Sequence, residues 1–161
     1  MLHLADLGQG SGIGQPPQSS TWICSLEVFM SGSRVLVVDD DRSNSEVVSR
    51  VLTAHGYAVD VADGGAAALD LIEQHPYCLA VVDYQMPGMN GVELFREARQ
   101  RQPELRGVFL TAYPNINTVF PAIEAGVERV LSKPLDSAEL VRLAEELVGP
   151  ADRDGKSQRS A

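Results

Sequence analysis

Apolar residues along this chain gather in short runs, each ending on a polar residue, and the runs alternate with longer stretches of helical period. Val35-Leu36-Val37-Val38 runs into Asp39-Asp40-Asp41, Leu79-Ala80-Val81-Val82 into Asp83, Val108-Phe109-Leu110 into Thr111, and Arg129-Val130-Leu131-Ser132 into Lys133-Pro134. Unbroken apolar runs of this length read as strands covered on both faces. Residues 58–62 alternate around Asp60 instead, as an edge strand would. Between the runs the pattern predicts five helices. Ser43-Asn44-Ser45-Glu46 reads as a capping box, with Ser43 as N-cap and Glu46 at N3. Val47, Val48, Val51 and Leu52 follow as its apolar face, and Gly56 stops it. A second helix follows the turn Gly64-Gly65 and ends before Pro76. A third covers 91–101, and a fourth covers 116–125 and stops at Gly126. A fifth opens on Asp136-Ser137-Ala138-Glu139 and ends at Gly149-Pro150.

Strands alternating with helices imply right-handed crossovers and a parallel sheet with helices on both faces. Such sheets bind ligands outside the carboxyl ends of their strands, where strand order reverses. Asp39, Asp40, Asp83, Thr111 and Lys133 all fall at those ends. Two carboxylates about 4 Å apart repel by roughly 4 kcal/mol at an effective dielectric near 20. A converging set therefore keeps a proton or takes up a cation. Oxygen-only ligands at a shallow site favour Mg²⁺. A lysine and a hydroxyl beside them suit a tetrahedral oxyanion carried on a carboxylate, with Asp83 as the natural nucleophile.

These residues, in this order, resemble the receiver domain of two-component response regulators, close to the single-domain chemotaxis type. The likeness covers 34–148. The acidic pair matches Asp39 and Asp40. The phosphoacceptor matches Asp83 in Val81-Val82-Asp83-Tyr84-Gln85-Met86-Pro87-Gly88-Met89-Asn90-Gly91. The hydroxyl residue matches Thr111, followed by the small Ala112, and the lysine matches Lys133 in Leu131-Ser132-Lys133-Pro134-Leu135. The resemblance implies an α/β, flavodoxin-like, doubly wound five-stranded parallel sheet with five helices. It also implies a cis Lys133-Pro134 bond and a phosphoryl group received from a sensor histidine kinase or a phosphotransfer protein. Asp40, Asp83 and the Gln85 backbone carbonyl would hold Mg²⁺ directly, Asp39 through water, and Thr111 and Lys133 would contact the phosphoryl oxygens. One family element is absent: three residues before the lysine, where the family places Tyr or Phe, stands Val130. Tyr113 is a candidate replacement, or simply a cover over the site.

Other readings are narrower. Asp39-x-Asp41 with Thr111 and Lys133 superficially resembles a haloacid-dehalogenase-type phosphatase, but that family needs a late acidic motif where this chain has a helix cap, and it leaves Asp83 unexplained. A pseudo-receiver that binds partners without phosphorylation conflicts with the complete acidic set. Asp41 reads as a solvated residue at a helix start, His3, His55 and His75 as non-catalytic, and Gly64-Gly65 as a turn.

The net charge of −9 leaves no general nucleic-acid footprint. Arg96, Arg99, Arg101 and Arg106 crowd one helix end and read as a solvated face. Cys24 and Cys78 have neither metal nor disulfide spacing, which fits a reducing cytoplasm. No stretch approaches the roughly 18 apolar residues that read as a membrane span. Residues 1–33 differ from the rest. A Gly, Ser, Gln and Pro-rich linker precedes an apolar stretch with Trp22 and Phe29, and Met30 is a plausible natural start, so 1–33 reads as a flexible or non-native extension. Residues 149–161 read as a disordered tail, too short for an effector domain. The expectation is a receiver, not an enzyme, acting through an unknown downstream protein as a monomer or a phosphorylation-dependent dimer.

Overall fold

The computed structural model describes residues 33–150. The expectations for 1–32 and 151–161 lie outside the described residues. The apolar runs form strands β1 (Arg34–Val38), β2 (Ala58–Ala62), β3 (Leu79–Asp83), β4 (Arg106–Thr111) and β5 (Arg129–Ser132). Between and after them lie helices α1 (Arg42–Ala54), α2 (Gly65–Gln74), α3 (Gly91–Arg101), α4 (Ile116–Ala125) and α5 (Ser137–Val148). All strand pairings are parallel, in the order β2-β1-β3-β4-β5. This is the expected doubly wound sheet, with β2 at an edge.

Strand alternation sorts the core into two layers. Val35, Val37, Leu79, Val81, Val108, Leu110 and Leu131 face α1 and α5, where they meet Val48, Leu52, Leu140 and Leu143. Leu36, Val38, Ala80, Val82 and Phe109 face α2, α3 and α4, where they meet Leu69, Ile72, Phe95 and Ala122. Every residue of β3 is buried, Asp83 included. That explains why the central runs read as unbroken apolar sequence rather than as an alternation. The edge strand β2 keeps Asp60 by pairing it. Arg34 reaches the carboxylate at 2.8 Å, and the Tyr77 hydroxyl donates to it at 2.7 Å. Burial first, then that bond to Asp60, holds the Tyr77 phenol well above its ordinary range.

The helix starts bring one correction. Ser43 is not the N-cap of α1. Asp41 is, with extended backbone and a carboxylate that accepts from the Ser43 N–H at 2.9 Å. Asp caps as well as Ser does, and Asp41 stands two residues earlier, so the helix gains two residues and places Ser43 inside its first turn. Asp41 is thus more than a solvated residue. The cap at Asp136 is as expected, accepting from Ala138 and Glu139. Two boxes went unread in the sequence: Asn90 with Glu93 on α3, and Asn115 with Thr118 on α4. The strands also run longer than expected, β4 by two residues before Val108 and one after Leu110.

Candidate functional site

Strand order reverses on either side of β1 and β3, which lie side by side in the sheet. Their carboxyl ends present Asp39, one residue past β1, and Asp83, the last residue of β3. Thr111 closes β4, and Lys133 follows β5. Asp39, Asp40 and Asp83 each bring a carboxylate oxygen within 4.8 Å of the others. The Lys133 ammonium lies 3.3 Å from Asp39 Oδ2 and 3.4 Å from Asp83 Oδ1. Asp39 and Asp83 are buried, whereas Asp40 is exposed. The ammonium thus pairs with two carboxylates taken out of water, and a third, exposed, lies beside them.

The electrostatic consequence falls on Asp83. Burial first, then the charge of Asp39, pushes its carboxyl from 3.8 up to about 6 against the pull of Lys133 and of the Gln85 N–H. Burial disfavours the charge on Lys133, but Asp39 and Asp83 together outweigh it and hold the ammonium above its ordinary value. The residual negative charge, the oxygen-only donor set and one exposed ligand fit a hard divalent cation.

Backbone contacts fix the rest. Asp39 Oδ1 accepts from the Asp41 N–H at 2.8 Å, which orients the carboxylate. The Gln85 N–H points to Asp83 Oδ1 at 3.4 Å. Thr111 is buried, its hydroxyl oxygen accepting from the Tyr113 N–H at 3.2 Å, while its carbonyl accepts from the Lys133 N–H at 2.8 Å. That second bond ties the β5 end to the β4 end next to Asp83. The Lys133-Pro134 peptide is cis, as the resemblance implied. Gly91 is required by close approach: a Cβ there would stand 2.8 Å from the Asp83 carbonyl oxygen, and the Gly91 N–H donates to Tyr84 O at 3.1 Å. Outside the cluster, Asp39 and Asp40 line an open cleft of about 960 Å³ that runs along α1 past Arg42, Glu46 and Arg50.

Every residue picked out from the sequence for direct chemistry therefore lies at the same sheet edge, and Asp41 does not join the cluster. A DxD pair acting together, as the phosphatase reading needs, is not formed. Val130 is half-buried against the α2–α4 layer. Tyr113 is 72% exposed. The residue the sequence reasoning passed over is Tyr84. Its ring stands edge-on to Phe109 at 6.2 Å, and its hydroxyl donates to the Asn117 carbonyl of α4 at 3.4 Å. Its position directly after Asp83 was the one available signal.

Residues 35–145 match the family model described as "Response regulator receiver domain". The chain belongs to that family. Among curated relatives, response regulator MprA of Mycobacterium sp. (strain KMS) is 37% identical over 108 residues, covering 67% of this chain and 47% of MprA. Transcriptional regulatory protein ZraR of Klebsiella oxytoca is 35% identical over 113 residues, covering 69% of this chain and 26% of ZraR. The receiver thus spans about half of one relative's length and about a quarter of the other's. Among solved structures, chemotaxis protein CheY4 of Vibrio cholerae aligns with a TM-score of 0.69 at 25% identity, covering 72% of this chain and 98% of that one. A CheY-like receiver domain protein of Methanospirillum hungatei JF-1 aligns with a TM-score of 0.68 at 26% identity, covering 80% and 98%. The chain is therefore a receiver of the two-component response regulators, a phosphorylation-accepting signalling module in a flavodoxin-like fold. Among the described residues no helix is long and apolar enough to cross a membrane.

Proposed function

We propose that this receiver accepts a phosphoryl group on Asp83 from a phosphohistidine of a sensor histidine kinase or phosphotransfer protein, and signals by binding a downstream protein. The observation that carries the reading is the meeting of Asp39, Asp40 and Asp83 with the Lys133 ammonium at the edge where strand order reverses. A carboxylate with pKa about 6 is ionised at neutral pH and free to attack. An Asp83 carboxylate oxygen forms the bond to phosphorus as the P–N bond breaks. The electron pair returns to the imidazole nitrogen, which takes its proton from solvent. Lys133, 3.4 Å from the attacking group, neutralises charge on the phosphoryl oxygens. The Thr111 hydroxyl, once turned from its contact with Tyr113, donates to one of them. Asp40, Asp83 and the Gln85 carbonyl would hold Mg²⁺, with Asp39 beside them. When bound, the ion supplies further charge neutralisation at the transferring group. The open cleft beside Asp39 and Asp40 supports approach of a donor protein.

The output side of the proposal rests on α4, where Ile116, Phe120 and Ile123 are exposed on one face. Such a stripe suits a protein partner or a second copy of the chain, not nucleic acid or a lipid surface, given the net charge of −9. The test is incubation with acetyl phosphate and Mg²⁺ followed by intact mass. Wild type should gain about one phosphoryl group, about 80 Da, and Asp83→Asn should not. No gain by wild type in any Mg²⁺ concentration would remove the phosphoacceptor reading and leave a partner-binding pseudo-receiver.

A further inference from the structure

Helix α4 carries Pro121 in its interior. A proline has no N–H for the carbonyl four residues earlier, so the Asn117 carbonyl loses its donor from within the helix. The Tyr84 hydroxyl stands in that place, donating to Asn117 O at 3.4 Å. Tyr84 is the residue after Asp83, and its backbone is fixed on both sides: its N–H donates to Leu110 O at 2.9 Å, and its carbonyl accepts from Gly91 N at 3.1 Å. Its ring lies edge-on to Phe109, which pairs in register with Val130. Tyr84 thus reaches α4 across β4 in a protein whose β5 has no aromatic side chain to do so. Tyr113, mostly in solvent, makes no comparable ring contact among the described residues.

We propose that Tyr84 is the positioning residue that couples Asp83 to α4. Its hydroxyl holds the Asn117 carbonyl while Asp83 is unmodified and releases it when Asp83 carries a phosphoryl group, so that α4 and its apolar face shift. The inference rests on Asp83 being the phosphoacceptor. Two features make the contact suited to this. At 3.4 Å it is longer than the usual O–H···O range of about 2.5–3.0 Å, so a small displacement breaks it. Asp83 and Tyr84 are joined by one rigid peptide plane, so only the torsions of these two residues separate a new ligand on Asp83 from the Tyr84 ring. Release leaves the Asn117 carbonyl to water at an exposed helix face, which costs little.

The test compares backbone amide NMR shifts of the full chain, with and without Mg²⁺ and beryllofluoride, in wild type, Tyr84→Phe, Tyr113→Phe and Pro121→Ala. In wild type the amides of Gln85 and of Thr118 to Phe120 should both move on addition. In Tyr84→Phe, which keeps the ring, the α4 amides should already be displaced without beryllofluoride and move less than half as far with it, while Gln85 responds as in wild type. Tyr113→Phe should follow wild type. Pro121→Ala returns an N–H to the Asn117 carbonyl, so adding Tyr84→Phe to it should change α4 little. This non-additivity would not follow from a loss of packing. Wild-type behaviour of α4 in Tyr84→Phe, with Gln85 responding normally and acetyl phosphate adding one phosphoryl group, overturns the coupling and leaves the phosphoacceptor reading intact. Failure of wild type itself to gain mass or to shift Gln85 overturns both.

Discussion

Replacing Asp83 by asparagine should make the fold more stable when no divalent cation is present. Asp83 titrates near 6 in the fold against 3.8 ordinarily, a rise of about two pK units that reflects burial and the neighbouring Asp39 carboxylate. At about 1.4 kcal/mol per unit, ionised Asp83 destabilises the folded state by about 3 kcal/mol at pH 7.5. The sign follows from proton counting. Between the two values the folded protein holds a proton that the unfolded chain has released, so stability falls as pH rises through this window and levels off above about 7. Well below 3.8 both states are protonated and the destabilisation disappears. Asparagine cannot ionise, so the variant lacks this slope. The difference between variant and wild type should be about 1 kcal/mol at pH 4.5 and approach 3 at pH 7.5. Relaxation around the carboxylate can lower the plateau to about 1–2 kcal/mol without changing the shape of the curve.

Urea unfolding in EDTA, followed by far-ultraviolet circular dichroism across that pH range, reads the difference directly. With a slope of about 1–3 kcal/mol per molar urea, the midpoint at pH 7.5 should rise by about 1–3 M in Asp83→Asn. Saturating Mg²⁺ should then narrow the gap from the wild-type side, because a ligand at 100 times its dissociation constant adds about 2.7 kcal/mol to the state that binds it. An Asp83→Asn protein no more stable than wild type at pH 7.5 in EDTA, or a gap that does not shrink toward pH 4.5, would refute the electrostatic account of the cluster.

Two packing predictions are independent of that titration. Gly91→Ala should lower the rate of phosphoryl gain from acetyl phosphate and destabilise by about 1–3 kcal/mol, since its Cβ would press on the Asp83 carbonyl oxygen from 2.8 Å. Intact mass over time and urea midpoints measure both effects, and an unchanged rate would show that the turn yields without moving Asp83. Gln102→Ala should destabilise by about 1–3 kcal/mol with no effect on phosphorylation. The Gln102 side chain accepts from the Tyr77 N–H at 2.9 Å and donates to the Ile72 and His75 carbonyls at 2.7 Å each. A variant with a wild-type midpoint would mean that water replaces all three contacts.

The position of Asp83, Lys133 and Thr111 was readable because each ends an apolar run, and a parallel sheet sends all such ends to one edge. The cap of α1 was not, because Ser43 and Glu46 carry the spacing of a capping box and mask Asp41, which reads only as a solvated residue at the helix start. The chain resolves this by using Asp39 in the cluster and Asp41 for the helix. The Asn115 box of α4 was hidden for another reason: its N3 partner is Thr118 rather than Glu or Gln, so the usual signature is missing. Pro121 was legible as a residue, but the donor to the carbonyl it leaves, Asn117 O, is 33 positions away from that carbonyl in sequence. A contact of that range needs the register of β3 against β4 and the placement of α4 against the sheet, neither of which local pattern carries.

The same placement decides how much a shift of α4 can matter. Ile116, Phe120 and Ile123 are 76%, 57% and 62% exposed, and complete burial of a large apolar side chain is worth about 1.5–3 kcal/mol. A partner that covers these three against only one arrangement of α4 gains several kcal/mol of differential binding, whereas the long, exposed tether from Tyr84 to Asn117 is worth at most about 0.5 kcal/mol. A two-state equilibrium moves only by the difference in affinity that its ligands have for the two states. The tether is therefore weak enough to be overcome from either end, by chemistry at Asp83 or by a partner at α4. By linkage, a partner that favours the released arrangement must tighten binding at the Asp83 site by the same factor with which occupancy of that site tightens the partner. A rigid aromatic packed fully into the β5 position would give a larger gap between the states. Val130 supplies no such ring, so on the proposed coupling through Tyr84 the gap between the two arrangements of α4 is no larger than one long hydrogen bond.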